Sequence, residues 1–153
     1  MADDGVGARA AMTGLELLRA MIAGRVPGPS IARTLHFTLE EVEEGHAVFV
    51  GEPGPDLMNP LGIVHGGWAL TLIDSAAGCA AHTTLPAGVG YTTLETKANF
   101  TRAIQPDTGP VRCVGTVVSP GRRVIVAEAR LMDGAGRLLA YGTSTLLVLP
   151  PSA

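Results

Sequence analysis

The sequence predicts an α+β domain in which one long antiparallel sheet packs against one buried helix. Segment 66–83 is apolar nearly all round, which is typical of a helix buried on every side. The four segments that follow it alternate apolar and polar residues with period two, as strands do. Gly- and Pro-rich turns join the last three of them into hairpins. Long hairpins beside a single helix form an α+β arrangement.

The elements are predicted to follow one another in a single domain over residues 13–150, after a disordered N-terminus, 1–12, that is rich in Gly and Ala. Thr13 can cap a short helix that ends near Gly24. Strands are then expected at 32–40 and 45–50, a loop at 51–62, the buried helix from 66 to about 83, and strands at 91–102, 109–119, 122–132 and 137–149.

The composition predicts self-association. Of the 153 residues, 46% are hydrophobic and only 16% are charged, whereas ordinary soluble domains carry about 25% charged residues. The deficit indicates that another subunit covers part of the surface. Dimerisation edge to edge would also remove one exposed edge of the sheet.

The charge pattern argues against several classes of partner. A net charge of −3 gives no positive field for nucleic acid or an anionic membrane. The acidic N-terminus lacks the apolar region of a signal peptide, and no run reaches the ~18 apolar residues of a membrane span, so we expect a cytoplasmic protein. In a cytoplasmic protein we expect Cys79 and Cys113 to be two buried free thiols, although a disulfide between them is possible. The four histidines are scattered, and no metal-ligand spacing is present.

His65, Gly66 and Gly67 stand where a loop enters the buried helix. The first amides of a helix have no internal acceptor and carry partial positive charge, and glycines let a ligand approach the backbone closely. This layout is typical of an anion or oxyanion site. The alternative is that the glycines merely permit a tight entry while His65 fills a gap.

Asp74 lies on the same helix, among apolar neighbours. A carboxylate there is costly unless it is paired or used, so it can be a general base or a nucleophile. Alternatively, it could accept a hydrogen bond from a strand hydroxyl or pair with an arginine such as Arg102. Asn59, in the preceding loop, could bind a carbonyl or fix a water, or could simply begin an Asn-Pro turn.

The string Asn59-x-x-Gly62-x-x-His65-Gly66-Gly67, with Asp74 nine residues after the histidine, resembles the signature of the PaaI-type hotdog thioesterases. The resemblance extends to segments 13–16, 91–100 and 121–123 and to the last hairpin, and leaves out only residues 1–12. It implies the hotdog fold, an antiparallel sheet of five or six strands wrapped around one long helix. It also implies a homodimer with joined sheets, often paired into a homotetramer.

The resemblance further implies hydrolysis of acyl- or aryl-coenzyme A thioesters without a metal or other cofactor. Asp74 would activate water or attack the thioester carbon, and the Gly66 amide would polarise the carbonyl. Asn59 and His65 would orient the substrate or the leaving thiolate, and Thr93 would place the water. In this family the acid and the helix-start amide of one site come from different subunits.

Thr93 is ambiguous on the sequence alone. Strict alternation puts it on the side of Glu95, opposite Thr96, where it could face a partner subunit. A bulge could bring Thr92 into the role instead, or Thr93 could be an ordinary strand residue.

Other residues are candidates for binding the substrate. Gly67 lies beside Gly66 at the helix start, and Trp68 could line an acyl or aryl pocket or pack in the core. Arg122 and Arg123 follow a Pro-Gly turn, where they could bind the phosphates of coenzyme A or simply be solvated.

Two other functions occur on this type of fold. An acyl-thioester hydratase or dehydratase is disfavoured because no His-x-x-Phe-Pro-like motif is present. A non-catalytic acyl-coenzyme A sensor that regulates transcription would need a DNA-binding appendage, and residues 1–30 are too short and too weakly charged to supply one.

Overall fold

The computed structural model describes residues 11–151. The predicted disorder of residues 1–12 therefore concerns residues that, apart from the last two, lie outside the described range. The elements are α1 (Gly14–Ile22), α2 (Ser30–Thr34), β1 (Phe37–Glu43), β2 (His46–Gly51), a 3-10 turn (Pro55–Leu57), α3 (Gly66–His82), β3 (Gly90–Phe100), β4 (Val111–Ser119), β5 (Val124–Met132) and β6 (Leu138–Leu149).

All six strands form one antiparallel sheet in the order β1-β2-β4-β5-β6-β3. The sheet wraps around α3, which confirms the predicted α+β class and the hotdog fold. β1 and β3 are the two edge strands. Since β3 runs antiparallel to α3, the start of the strand lies near the end of the helix: Tyr91 contacts Gly78, and Phe100 contacts Gly66.

Small residues let α3 lie directly on the sheet. Ala76 and Ala77 of the helix are fully buried. On β4, a Cβ added to Gly115 would collide with the carbonyl of Ala76, and on β6 a Cβ added to Gly142 would meet the side chain of Ile73. The backbone of α3 therefore lies in direct contact with the sheet. This contact fixes the position of each helix side chain relative to the strands.

The N-terminal helix α1 begins as predicted. Thr13 Oγ1 accepts from the amide of Glu16 at 3.2 Å, and the Thr13 amide donates to Glu16 Oε2 at 2.8 Å, which forms a complete capping box. The amide of Gly14 donates to the carbonyl of Leu85 at 3.1 Å. Helix α1 is thus anchored to the chain just beyond the end of α3.

The predicted strand 32–40 is wrong in its first half. Residues 30–34 form the short helix α2, with Pro29 as its N-cap residue. His36 then adopts a left-handed conformation (φ 55°) that redirects the chain into β1. The predicted loop 51–62 is also more regular than expected, since it contains the 3-10 turn and a bridge between Met58 and Val64.

Both cysteines are free thiols, as the sequence favoured. Burial raises the pKa of Cys113 to about 12. Within residues 11–151, no helix is long and apolar enough to cross a membrane.

Candidate active site

The loop before α3 is held together largely by one side chain. Asn59 Oδ1 accepts from the amide of Leu61 at 2.9 Å and, at 3.4 Å, from that of Ile63. The amide of His65 donates to the carbonyl of Leu57 at 2.8 Å, which ties the end of the loop to its beginning. The turn-forming alternative for Asn59 is therefore realised, and its oxygen serves the loop.

His65 is the N-cap of α3. Its Nδ1 accepts from the amide of Gly67 at 2.9 Å, so in the neutral ring the proton resides on Nε2. His65 is exposed, and Nε2 is thus a donor available to a ligand. The cap explains why a histidine suits this position: it satisfies one orphan amide and leaves a second donor facing outward.

Gly66 is the first residue of α3, and its amide takes part in none of the hydrogen bonds found within residues 11–151. A Cβ added here would lie 3.3 Å from Cζ of Phe100. The amide is therefore a partly exposed donor at the positive end of a helix, which suits an oxyanion.

Asp74 is held by two threonines of β3 through a single oxygen. Its Oδ1 accepts from Thr93 Oγ1 at 2.9 Å and from Thr96 Oγ1 at 2.8 Å. Among the described residues, Oδ2 accepts no hydrogen bond and Asp74 forms no ion pair, so Arg102 is not its partner. One oxygen fixes the carboxylate while the other stays available.

A third hydroxyl supports this arrangement. Thr96 Oγ1 and Ser144 Oγ lie 2.8 Å apart, and Ser144 is buried. Because a threonine has one hydroxyl proton and Thr96 gives it to Asp74, Ser144 must be the donor to Thr96. The hydroxyls thus form a directed chain from β6 through β3 to the carboxylate, in which each bond strengthens the next.

The strict alternation predicted for β3 is wrong because the strand contains a bulge. Its register against β6 shifts between Thr93 and Glu95, where Leu94 is the extra residue. The shift turns Thr93 and Thr96 toward the same face, and it is Thr93 rather than Thr92 that reaches Asp74. Thr96 and Ser144 were missed, although Ser144 alternates with buried Gly142 and Leu146, a pattern that marks a hydroxyl facing inward.

The remaining candidates lie elsewhere. Trp68 is 3% exposed, and its Nε1 donates to the carbonyl of Leu35 at 2.7 Å, so its indole packs in the core. Arg122 and Arg123 line a cavity of about 1100 Å³ beside Leu85, beyond the C-terminal end of α3. Gly66 lies at the opposite end of that helix, so the arginines and the helix-start amide are far apart within one chain.

Titratable groups also cluster one to two turns beyond Asp74. Burial, with a smaller contribution from the charge of Asp74, raises the pKa of Cys79 to about 12. Burial also raises the pKa of Tyr91 far above its ordinary value, with Cys79 and then Asp74 adding to the effect. Burial lowers the pKa of His82. All three side chains are therefore neutral around pH 7.

Known proteins resemble this chain over most of its length. A "Putative esterase SSO2140" of Saccharolobus solfataricus is 30% identical over 119 residues, which cover 78% of this chain and 83% of that protein. The structure of the conserved protein PA5202 from Pseudomonas aeruginosa is 31% identical with a TM-score of 0.75, covering 80% of this chain and 95% of that one.

A second structure supports the resemblance seen in the sequence. It is that of a phenylacetic acid degradation-related protein from Ralstonia eutropha, which is 26% identical with a TM-score of 0.78 and covers 85% of this chain and 98% of that one. The resemblance to the PaaI-type hotdog thioesterases is thereby confirmed. The family model of the thioesterase superfamily matches residues 61–140, just over half of the chain, from the loop before His65 to β6. Because this match covers more than half of the chain and the fold is the one that these relatives share, the chain belongs to the thioesterase superfamily.

Proposed function

We propose that this protein hydrolyses an acyl- or aryl-coenzyme A thioester to the free acid and coenzyme A. Membership of the superfamily supports thioester hydrolysis in general. The observation that carries the proposal for this chain is the state of Asp74, whose Oδ1 is fixed by Thr93 and Thr96 while Oδ2 is available. Asp74 is half-buried, so Oδ2 can contact a water molecule or a substrate while Oδ1 stays fixed.

The chemistry follows from two groups. In the simplest route, Asp74 takes a proton from water as the oxygen of that water adds to the thioester carbon. The negative charge that develops on the carbonyl oxygen is stabilised by the amide of Gly66. Collapse of this intermediate breaks the C–S bond and releases coenzyme A thiolate, which takes up a proton. His65 would donate from Nε2 to the substrate or the leaving group.

Asp74 can instead attack the thioester carbon itself. That route forms a mixed anhydride on the carboxylate, which water then hydrolyses. Detection of ¹⁸O on Asp74 after a single turnover in H₂¹⁸O would establish the anhydride route, because direct attack of water on the thioester leaves both Asp74 oxygens unlabelled.

One chain cannot supply both groups to one carbonyl. Asp74 lies eight residues beyond Gly66, about 12 Å along the helix, whereas each must approach the reacting atoms to about 3 Å. A homodimer with antiparallel α3 helices would bring Asp74 of one subunit to Gly66 of the other. Arg122 and Arg123 would then belong to the same half-site as Asp74, where they can bind phosphates of coenzyme A.

The surface around β3 supports such a dimer. β3 is an edge strand, and three large apolar side chains along it and at the helix start are exposed: Leu61 by 84%, Leu94 by 58% and Phe100 by 55%. Pairing through this edge would satisfy the strand's free backbone groups and cover the apolar side chains. A homotetramer built from two such dimers is part of the proposal.

The proposal is tested by release of free thiol from a panel of acyl- and aryl-coenzyme A esters. Asp74→Asn keeps an Oδ1 acceptor for both threonines, so it should fold while kcat falls by about 100-fold to 10,000-fold. Asp107→Asn, which removes an exposed carboxylate elsewhere, is the matched control. Chelator should change nothing, since we propose no metal. An Asp74→Asn enzyme within threefold of the parent, or a panel with no turnover at all, would contradict the proposal.

The shared site is tested by subunit exchange. Asp74→Asn and Gly66→Pro variants should each be nearly inactive, but a mixed dimer would contain one intact half-site and recover up to half of the parental activity. Verified mixed dimers that stay inactive would exclude a site divided in this way.

A further inference from the structure

The ring of Tyr91 lies against the face of α3 that carries Asp74. One turn beyond Asp74 the helix has Gly78, and a Cβ added there would lie 2.5 Å from the Tyr91 hydroxyl oxygen and 2.9 Å from its Cε2. Only a residue without a side chain permits this approach. The same ring packs on His82 another turn further, with 5.5 Å between ring centroids. Tyr91 therefore closes the helix face directly beyond the carboxylate.

Behind Tyr91 lies a cavity of about 830 Å³, the size of a typical ligand pocket. It is a cleft, partly open to solvent, that is bordered by α1, segment 27–36, β1, β2 and α3. Its apolar lining includes Leu18, Met21, Phe37, Leu39 and Phe49. Tyr91, Cys79 and His82 line its side toward α3, whereas Asp74, Thr93 and Thr96 do not line it. Tyr91 thus stands between the carboxylate and the apolar part of this cleft.

The coenzyme A part and the acyl part of a thioester substrate differ in polarity. The coenzyme A half is charged and belongs on the exposed side, toward Arg122 and Arg123. The acyl half is apolar and gains free energy where water is excluded. From Asp74 the buried direction leads to Tyr91, whose neutral ring an acyl group can contact without desolvating a charge.

We propose that Tyr91 is a specificity-determining residue that ends the acyl site, so that the enzyme acts on compact acyl groups and excludes long straight chains. This inference rests on the proposed function. The cavity behind the ring is the space that a longer chain would fill if the ring were removed. Gly78 is also required for this selectivity, because any larger residue at position 78 would displace the Tyr91 ring.

The test compares straight-chain acyl-coenzyme A esters from acetyl to dodecanoyl in the parent and in two variants. Tyr91→Phe keeps the wall and should keep the parental chain-length limit. Tyr91→Ala opens the cavity, so kcat/KM should rise by roughly fourfold for each methylene beyond that limit until the cavity is filled. The rise is measured relative to acetyl-coenzyme A in the same variant. Adding Ala32→Phe, on the cavity wall, to Tyr91→Ala should cancel the gain.

Two results would overturn the inference: a chain-length limit in Tyr91→Ala equal to that of the parent, or a parent that already hydrolyses dodecanoyl as well as acetyl esters. If Tyr91→Ala does not fold, Tyr91→Val removes the ring and retains a residue that favours strands.

Binding of non-hydrolysable S-alkyl-coenzyme A thioethers, measured by calorimetry, gives a readout that does not depend on turnover. If Tyr91→Ala binds longer thioethers than the parent does while neither protein hydrolyses any ester, Tyr91 ends the acyl site but the proposed function is wrong. If the parent and Tyr91→Ala have the same chain-length limit for thioether binding, Tyr91 does not end the acyl site.

Discussion

Replacing Gly66 with proline would remove one backbone N–H from the proposed site and little else. The amide of Gly66 donates to no acceptor within residues 11–151, so the substitution breaks no hydrogen bond there. Proline is favoured at the first position of a helix, where its fixed φ is already helical. The preceding residue, His65, has ψ 133°, the extended conformation that a following proline requires.

The cost of the new side chain can be separated from the loss of the donor. A Cβ at position 66 would meet Phe100 Cζ at 3.3 Å, so the Phe100 ring must shift by a few tenths of an ångström in either variant. Gly66→Ala introduces the same Cβ and keeps the N–H, so it is the matched control. Both variants should unfold at similar temperatures.

The expected difference between the two variants is large. Loss of one oxyanion donor typically lowers kcat by about 100-fold to 1000-fold, or about 2.7–4 kcal/mol of transition-state stabilisation. We therefore expect Gly66→Pro to fall below Gly66→Ala by that factor in a thiol-release assay. Equal kcat values for two folded variants, within threefold, would show that the amide does not polarise the carbonyl.

Three further predictions concern the surroundings of the site. Ser144→Ala should lower the free energy of unfolding by about 0.5–1.5 kcal/mol in a denaturant titration, because the hydrogen bond from Ser144 to Thr96 is lost; an unchanged value would mean that the hydroxyl chain has no energetic role. Since Cys113 is fully buried and burial raises its pKa to about 12, this thiol should stay protonated at pH 8 and resist iodoacetamide until the protein unfolds, as mass spectrometry can check. Burial lowers the pKa of His82, so the unfolded chain binds its proton more readily and stability should decrease as pH falls below about 6.5; His82→Gln should flatten this dependence, and an equal slope in both proteins would contradict it.

The predictable parts of the fold depend on strong local patterns. The helix α3 could be located from its composition, and its start from the glycines that follow His65, because a buried helix and an exposed cap have distinct sequence requirements. The hairpins β4 to β6 followed from their turns. Segment 30–36 was misassigned because its conformation depends on the left-handed His36, whose backbone geometry has no marker in the sequence.

The candidate site shows the same division between local pattern and tertiary context. Asp74 and Gly66 could be proposed because each breaks a local rule: a carboxylate among apolar residues, and glycines at a helix start. The sequence offered a strand hydroxyl as a partner of Asp74, which the structure confirms. It could not identify the two threonines, because period-two alternation placed Thr93 and Thr96 on opposite faces of β3. Only the pairing with β6 shows that Leu94 is an extra residue, and pairing between strands is non-local information.

The bulge at Leu94 also explains how β3 can serve two purposes. In a regular strand, residues 93 and 96 face opposite ways, so only one of them could bond to Asp74. The extra residue turns both hydroxyls onto one carboxylate oxygen and leaves Leu94 58% exposed at the sheet edge. The extra residue thus directs both threonine hydroxyls toward the carboxylate of Asp74. It also leaves the Leu94 side chain exposed, where the proposed partner subunit would pack. Shortening β3 by deleting Leu94 should therefore impair hydrolysis and dimer formation together, whereas Leu94→Ser should weaken the dimer and leave the Asp74 hydrogen bonds in place.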